Sequence, residues 1–135
     1  MKKKVAIVGS GFFGITAALI LSRKFDIDLY EKKKTILNGA SKANQMRFHQ
    51  GYHYPRSIKT LNEVKKFNKS FLKFYGKDIL GKTNNYYAIS KKNSKTSYDQ
   101  FVKFLYKNKL YYKNYQNDNF SNLVSKSILS NEKNL

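Results

Sequence analysis

The 135-residue chain has no cysteine and only two histidines. Without cysteine it has neither a disulfide framework nor a thiolate metal site, and two histidines are few for zinc, so we expect no bound metal. It also lacks an apolar run that approaches a transmembrane span. The basic start, Met1 to Lys4, precedes a short apolar run that glycines interrupt, and no small-residue cleavage site follows. We therefore expect a cytoplasmic protein and not a secreted one.

Acidic residues are also scarce: eight stand against 27 lysines and arginines, which gives a formal net charge of +19. Such a charge is typical of proteins that bind nucleic acid or an anionic membrane. Here the cations are nearly all lysines, spread along the chain among many asparagines. A nucleic-acid interface concentrates charge on one face and uses arginine. We therefore expect no specific nucleic-acid partner.

The chain does contain a recognisable pattern near its start. A short apolar run ends in Gly-x-Gly-x-x-Gly, formed by Gly9, Gly11 and Gly14. A helix-like stretch over residues 15–24 follows, and Ile27 to Tyr30 has the composition of a second strand. That strand leads directly into Glu31. The order predicts a βαβ unit over residues 4–31 that binds a dinucleotide.

Each part of this unit has a physical role. Gly9 lets the chain turn sharply out of the strand, Gly11 lets a pyrophosphate approach the backbone, and Gly14 allows the helix to pack closely on the sheet. The helix N-terminus offers N–H groups and a partial positive charge to phosphates. The carboxylate of Glu31 can accept hydrogen bonds from ribose hydroxyls, with Lys32 beside it as a second contact.

The remaining chain divides into three segments. Residues 32–56 are loop-rich, with glycine and proline as breakers. Residues 57–110 have the order helix, strand, helix. Residues 111–135 form a tail with a weak apolar pattern.

Within residues 57–110, the first helix begins at Ser57 or Thr60 and Gly76 ends it. Its phenylalanines at 67, 71 and 74 have helical spacing and are predicted to lie in the core. Residues 84–90 form a short strand, and a second helix begins near Thr96 or Ser97.

Residues 40–57 hold both histidines, two of the three arginines and the only proline. They include Ser41-Lys42-Ala43-Asn44 and His49-Gln50-Gly51-Tyr52-His53-Tyr54. With the glycine turn, this segment resembles the FAD-dependent oxidoreductases of the D-amino-acid-oxidase type. Members of that group often show Ser/Thr-x-x-Asn and then His-x-Gly-x-x-Tyr soon after the second strand. The resemblance covers roughly residues 4–110.

The resemblance implies FAD as the cofactor and an α/β fold: a Rossmann-like βαβ dinucleotide-binding unit with a helical insertion, in an incomplete FAD domain. It also implies that Ser41, Asn44 and Gln45 line the cofactor and that His49 lies near the flavin. Together with the turn and the acid, the predicted cofactor-binding residues are Gly9, Gly11, Phe12, Phe13, Gly14, Glu31, Lys32, Ser41, Asn44 and Gln45. No catalytic residue is assigned.

The implied reaction is oxidation of an amine or hydroxyl carbon of a small substrate, by hydride transfer to the flavin. The chain resembles the N-terminal third of such an enzyme, so we expect it to need a complementing C-terminal part and to bind FAD weakly or not at all alone. One alternative is a non-catalytic remnant or one subunit of a split flavoenzyme. Another is an NAD-binding domain, against which the segment from Ser41 to Tyr54 argues.

Several residues of the second motif keep two interpretations. His49 is either a flavin neighbour, even a covalent attachment point, or a loop histidine that bonds the backbone, which we favour. Arg47 and Arg56 either bind a substrate carboxylate or hold the loop, and Arg47 has the further alternative of contacting the pyrophosphate. His53 is expected to be structural or exposed to solvent. Tyr52 and Tyr54 are expected to be packing residues.

Overall fold

The structure, a computed structural model, describes residues 1–116 and 120–135. It has mixed α/β secondary structure and divides into two compact units, Met1–Met46 and Arg47–Leu135. The boundary between the units falls inside the segment predicted to be loop-rich. That segment also holds one short helix and one short strand, which the breaker residues did not predict.

The first unit contains the predicted βαβ arrangement. Strand β1 (Lys4–Val8) pairs in parallel with β2 (Asp26–Tyr30), and helix α1 (Phe12–Leu21) connects them. A short helix, α2 (Ala40–Ala43), follows. Parallel neighbours need such a crossover connection. Among the described residues 1–46, however, only Ser10 is buried.

The second unit contains the predicted helix, strand, helix order. Helix α3 (Ile58–Tyr75) begins after Ser57, whose hydroxyl accepts from the N–H of Thr60, and it ends at Gly76 with a φ of +86°. Strand β4 (Asn85–Ser90) and helix α4 (Tyr98–Lys107) follow. Ser97 and Gln100 form a reciprocal capping box at the start of α4, so the cap residues fix both helix starts.

The tail of the chain is largely sheet. Strands β5 (Tyr112–Tyr115) and β6 (Val124–Ser130) join β4 in an antiparallel sheet of order β4-β6-β5. Strand β3 (Arg47–Phe48) pairs with β7 (Lys133–Asn134). None of these four strands was predicted from the sequence. Residues 117–119 of the predicted tail lie outside the described residues.

The core of the second unit lies between the β4-β6-β5 sheet and helices α3 and α4. Its buried members are Tyr52, Leu61, Tyr87, Phe101, Phe104, Leu105, Leu110 and Ile128. The prediction that the phenylalanines of α3 lie in the core is wrong for Phe67 and Phe74, which are 64% and 44% exposed. Helical spacing identified an apolar face, but only Leu61 of α3 is buried.

No helix formed by the described residues has the length and apolar character that a bilayer crossing requires.

Candidate functional site

The glycine turn has the backbone geometry that its sequence predicted. Gly9 has a φ of +98°, and its N–H donates to the carbonyl of Tyr30 at 2.7 Å, which ties the turn to the end of β2. A Cβ added to Gly14 would lie 1.9 Å from the Gly9 carbonyl oxygen. Any side chain at residue 14 would therefore push the helix away from the turn, which is the reason for glycine at this position.

The N-terminus of α1 faces the side chain of Ser41. Gly11 is the N-cap residue and has no side chain with which to cap the helix. Instead, the N–H of Phe12 donates to the Ser41 hydroxyl oxygen at 3.0 Å. A serine hydroxyl that accepts in this way still has its own proton to donate. Ser41 therefore lies where an anion at the helix N-terminus would meet a hydroxyl donor as well as backbone N–H groups.

The Glu31 carboxylate is bonded to the glycine turn itself. One oxygen accepts from the Ser10 N–H at 2.8 Å and from the Ser10 hydroxyl at 2.6 Å, and the other accepts from the Lys33 N–H at 2.9 Å. These bonds, with the Ser10 hydroxyl first, lower the pKa of Glu31 to about 2. Each carboxylate oxygen has more than one acceptor direction, so the same group can also receive ribose hydroxyls.

The other predicted cofactor residues of the first unit lie in exposed positions. Lys32 and Gln45 are exposed, and Phe13 is 86% exposed. Asn44 is also exposed and bonds to local backbone: its amide donates to the Ser41 carbonyl, and its side-chain oxygen accepts from the Met46 N–H. In this arrangement Asn44 ends α2, and its contribution to a cofactor remains a prediction.

The second motif continues into the second unit, where glycine and tyrosine are structural. Gly51 has a φ of +104°, and a Cβ there would lie 2.2 Å from the side chain of Leu61. Tyr52 is 1% exposed and stacks on Tyr87 with ring centroids 5.2 Å apart. Burial raises the pKa of Tyr52 to about 12. The expectation that Tyr52 packs is thus confirmed, whereas Tyr54 is exposed at 38%.

The ionisable side chains of this motif gather around Glu132. Its carboxylate is fully buried, accepts from the Gln50 N–H at 2.7 Å and lies 3.8 Å from Nδ1 of His49. Arg47 contacts Nε2 of His53 at 3.5 Å and lies over the Tyr87 ring. Burial, then the charge of His49, lowers the pKa of His53. These contacts tie Arg47 to the loop and to the neighbouring strand, and its role toward a ligand stays a prediction.

Three residues that contact the predicted site residues were not identified from the sequence: Ser10, Tyr87 and Glu132. Ser10 stands at a variable position of the glycine motif, although a hydroxyl beside the turn was a visible signal. Tyr87 and Glu132 gave no signal, because strand pairing brings them to residues 47–53 from 34 or more positions away.

Comparison with known proteins identifies the class. The family model described as FAD dependent oxidoreductase matches residues 4–107, and the chain belongs to this family. FAD is the cofactor of the family, which confirms both the resemblance and the cofactor predicted from it.

Individual relatives are fungal. The chain is 30% identical over 98 residues to the FAD-dependent monooxygenase FPY4 of Fusarium mangiferae, covering 72% of this chain and 27% of that protein. It is 33% identical over 86 residues to the FAD-dependent monooxygenase kojA of Aspergillus flavus, covering 63% and 20%. The chain thus spans about a quarter of the length of these relatives or less. No solved structure matches.

Proposed function

We propose that the first unit binds the ADP portion of FAD in a Rossmann-like manner, and that the chain provides the N-terminal part of the site of an FAD-dependent oxidoreductase. The observation that carries the proposal is the link between turn and acid. Ser10 donates twice to Glu31, so the glycine turn and the predicted ribose acceptor form one preorganised element.

The residues of this element fit a pyrophosphate linked to a ribose. The turn backbone and the N-terminus of α1 would hold the diphosphate, since N–H groups and the helix dipole favour negative charge there. Ser41 would add a hydroxyl donor. Glu31 would accept from the ribose and would repel a 2′-phosphate. Lys32, Asn44 and Gln45 remain proposed contacts along the same ligand.

The flavin supplies hydride acceptance from a carbon that bears an amine or a hydroxyl, and the proposed substrate is a small molecule of that class. The polypeptide contributes binding and orientation. We assign no general base, because a substrate that arrives as a neutral amine needs none. We place this activity in the cytoplasm.

We further propose that a complementing polypeptide completes the site. The first unit leaves large apolar side chains open to solvent: Val8 is 88% exposed and Phe13 is 86% exposed. None of the ten described residues of α1 is buried. A sheet of two strands with one helix is normally covered by further strands or helices. If the chain is one subunit of a split enzyme or the N-terminal portion of a longer one, the remaining polypeptide would cover these apolar side chains. The family match favours FAD over the NAD-binding alternative.

A titration that detects weak binding tests the proposal. Untagged chain labelled with ¹⁵N is titrated with ADP, FAD, NAD and FMN, and amide shifts are followed by NMR. We expect ADP and FAD to shift the amides of residues 9–14 and 31–41. FMN, which lacks the adenosine, should leave them in place, and FAD should bind more tightly than NAD. The Gly39→Ala variant is the matched control, because no atom lies within 4 Å of the added Cβ.

The proposal fails if ADP and FAD leave these amides unmoved at millimolar concentration, or if FMN moves them equally. The attachment question is answered by acid precipitation of the chain after incubation with FAD. Unbound flavin is first removed by gel filtration; colour in the supernatant then means non-covalent binding, and colour in the pellet means a covalent link, to be tested at His49 and His53. Stoichiometric flavin together with turnover of a substrate would refute the need for a complementing polypeptide.

A further inference from the structure

Both histidines of the chain lie next to a buried carboxylate in the second unit. His49, His53 and Glu132 each present a ligand atom, and these atoms all lie within 4.8 Å of one another. The two imidazole centroids are 4.9 Å apart. We propose that these three residues form a binding site for one divalent transition-metal cation such as Zn²⁺.

Glu132 gives the site a fixed anchor. Its side chain is fully buried, and its two oxygens accept from the Gln50 N–H and from the Tyr87 hydroxyl. A carboxylate oxygen that accepts one hydrogen bond can still coordinate a cation. The Gln50 N–H and the Tyr87 hydroxyl would then orient the Glu132 carboxylate, since carboxylates that bind metals are normally held by such hydrogen bonds.

Metal binding would require the three ligand atoms to move closer together. Zinc binds histidine nitrogen at about 2.0–2.1 Å and carboxylate oxygen at about 2.0–2.2 Å, so tetrahedral ligands stand roughly 3.3 Å apart. Nδ1 of His49 is already 3.8 Å from the Glu132 oxygen. His49 and His53 are exposed, so their rings can turn inward while Glu132 stays in place. Solvent would supply the fourth ligand.

The ligand chemistry selects the ion. Two imidazoles and one carboxylate suit zinc and its neighbours cobalt, nickel and copper, whereas magnesium and calcium prefer oxygen ligands. Arg47 opposes binding, because it donates to Nε2 of His53 at 3.5 Å and repels a cation.

The opposition of Arg47 provides a variant that gains affinity. Arg47→Met removes both the competing donor and the like charge, so it should tighten Zn²⁺ binding. A merely structural cluster would show no such gain. His53→Gln and Glu132→Gln each remove one ligand and should weaken binding by at least about tenfold. Glu63→Gln is the matched control, since Glu63 is an exposed acid on α3.

The assay is a ZnCl₂ titration of the untagged chain, with calorimetry for affinity and ¹⁵N NMR of the imidazoles for location. The chain contains no other histidine and no cysteine, so every imidazole signal reports this cluster. We expect saturation at one equivalent with shifts of both rings, and no response to MgCl₂. His53 is exposed, so His53→Gln keeps the test decisive even if Glu132→Gln fails to fold.

Two results would overturn the proposal. The first is imidazole signals that do not move when ZnCl₂ is added. The second is wild-type affinity in His53→Gln, which would mean that the ion binds elsewhere. These outcomes are distinguishable from those of the ADP titration, because that titration follows the amides of residues 9–14 and 31–41 and this one follows the two imidazoles.

Discussion

Replacing Gly14 with alanine tests the packing of the glycine turn directly. In a helix, glycine to alanine normally stabilises by about 0.5–1 kcal/mol, because alanine loses less backbone entropy on folding. Here the added Cβ would stand 1.9 Å from the Gly9 carbonyl oxygen, a backbone atom that cannot rotate away. Forcing such a contact costs about 1–3 kcal/mol. We take the upper end and expect a net loss of about 2 kcal/mol in the local stability of the turn.

Amide hydrogen exchange measures this loss at the position concerned. The Gly9 N–H, bonded to the Tyr30 carbonyl, should exchange roughly 30-fold faster in Gly14→Ala, which corresponds to about 2 kcal/mol. Gly39→Ala makes the same chemical change where no atom lies within 4 Å of the new Cβ, and should leave the Gly9 N–H unaffected. Protection of Gly9 that is equal or greater in Gly14→Ala would refute the close approach of helix and turn.

Two further predictions concern hydrogen bonds, the first those of the buried Tyr52 hydroxyl and the second those of the Glu31 carboxylate. The Tyr52 hydroxyl lies 2.6 Å from the Tyr111 carbonyl and 3.0 Å from the Asn131 side-chain oxygen. Tyr52→Phe should lower the free energy of unfolding by about 1–2 kcal/mol in urea denaturation, because acceptors lose a donor. Tyr106→Phe, at a residue 78% exposed, is the control, and equal midpoints for the two variants would contradict the prediction. The second prediction concerns Glu31, whose pKa of about 2 lies below its ordinary 4.5. The stability that it contributes is fully present above pH 4.5 and is lost as the pH falls through 2. NMR titration of its carboxyl carbon should show this low midpoint, which Ser10→Ala should raise; an unchanged midpoint in that variant would exclude the Ser10 hydroxyl as the main cause.

The predictable parts of the chain are those in which the signal is local. The glycine turn, β1, α1 and β2 follow one another within 31 residues, and each element has its own pattern. Helices α3 and α4 were predictable because Ser57, Ser97 and Gly76 mark their ends through bonds within a few residues. Capping and left-handed turns are properties of short segments, so the sequence alone suffices for them.

The unpredicted parts depend on distant partners. Strand β6 reads Val-Ser-Lys-Ser-Ile-Leu-Ser, without the clean alternation of a half-buried strand, and it forms because β4 and β5 pair with it on either side. For the same reason Glu132 gave no signal as a candidate ligand. The prediction that Phe67 lies in the core was wrong for a related reason. Its helical spacing was correct, but no described residue of its unit covers it enough to bury it.

The expectation of no bound metal also came from composition alone, which contains no information on long-range contacts. Two histidines without cysteine are few for zinc, and composition therefore favoured a chain without metal. That expectation counted histidine and cysteine and did not consider a carboxylate near the end of the chain. The sheet places Glu132 beside both histidines, and burial with two hydrogen-bond donors holds its oxygens ready. Two histidines with one carboxylate are a known zinc ligand set, so the proposed site depends on the pairing of β7 with β3, a long-range contact that composition does not contain.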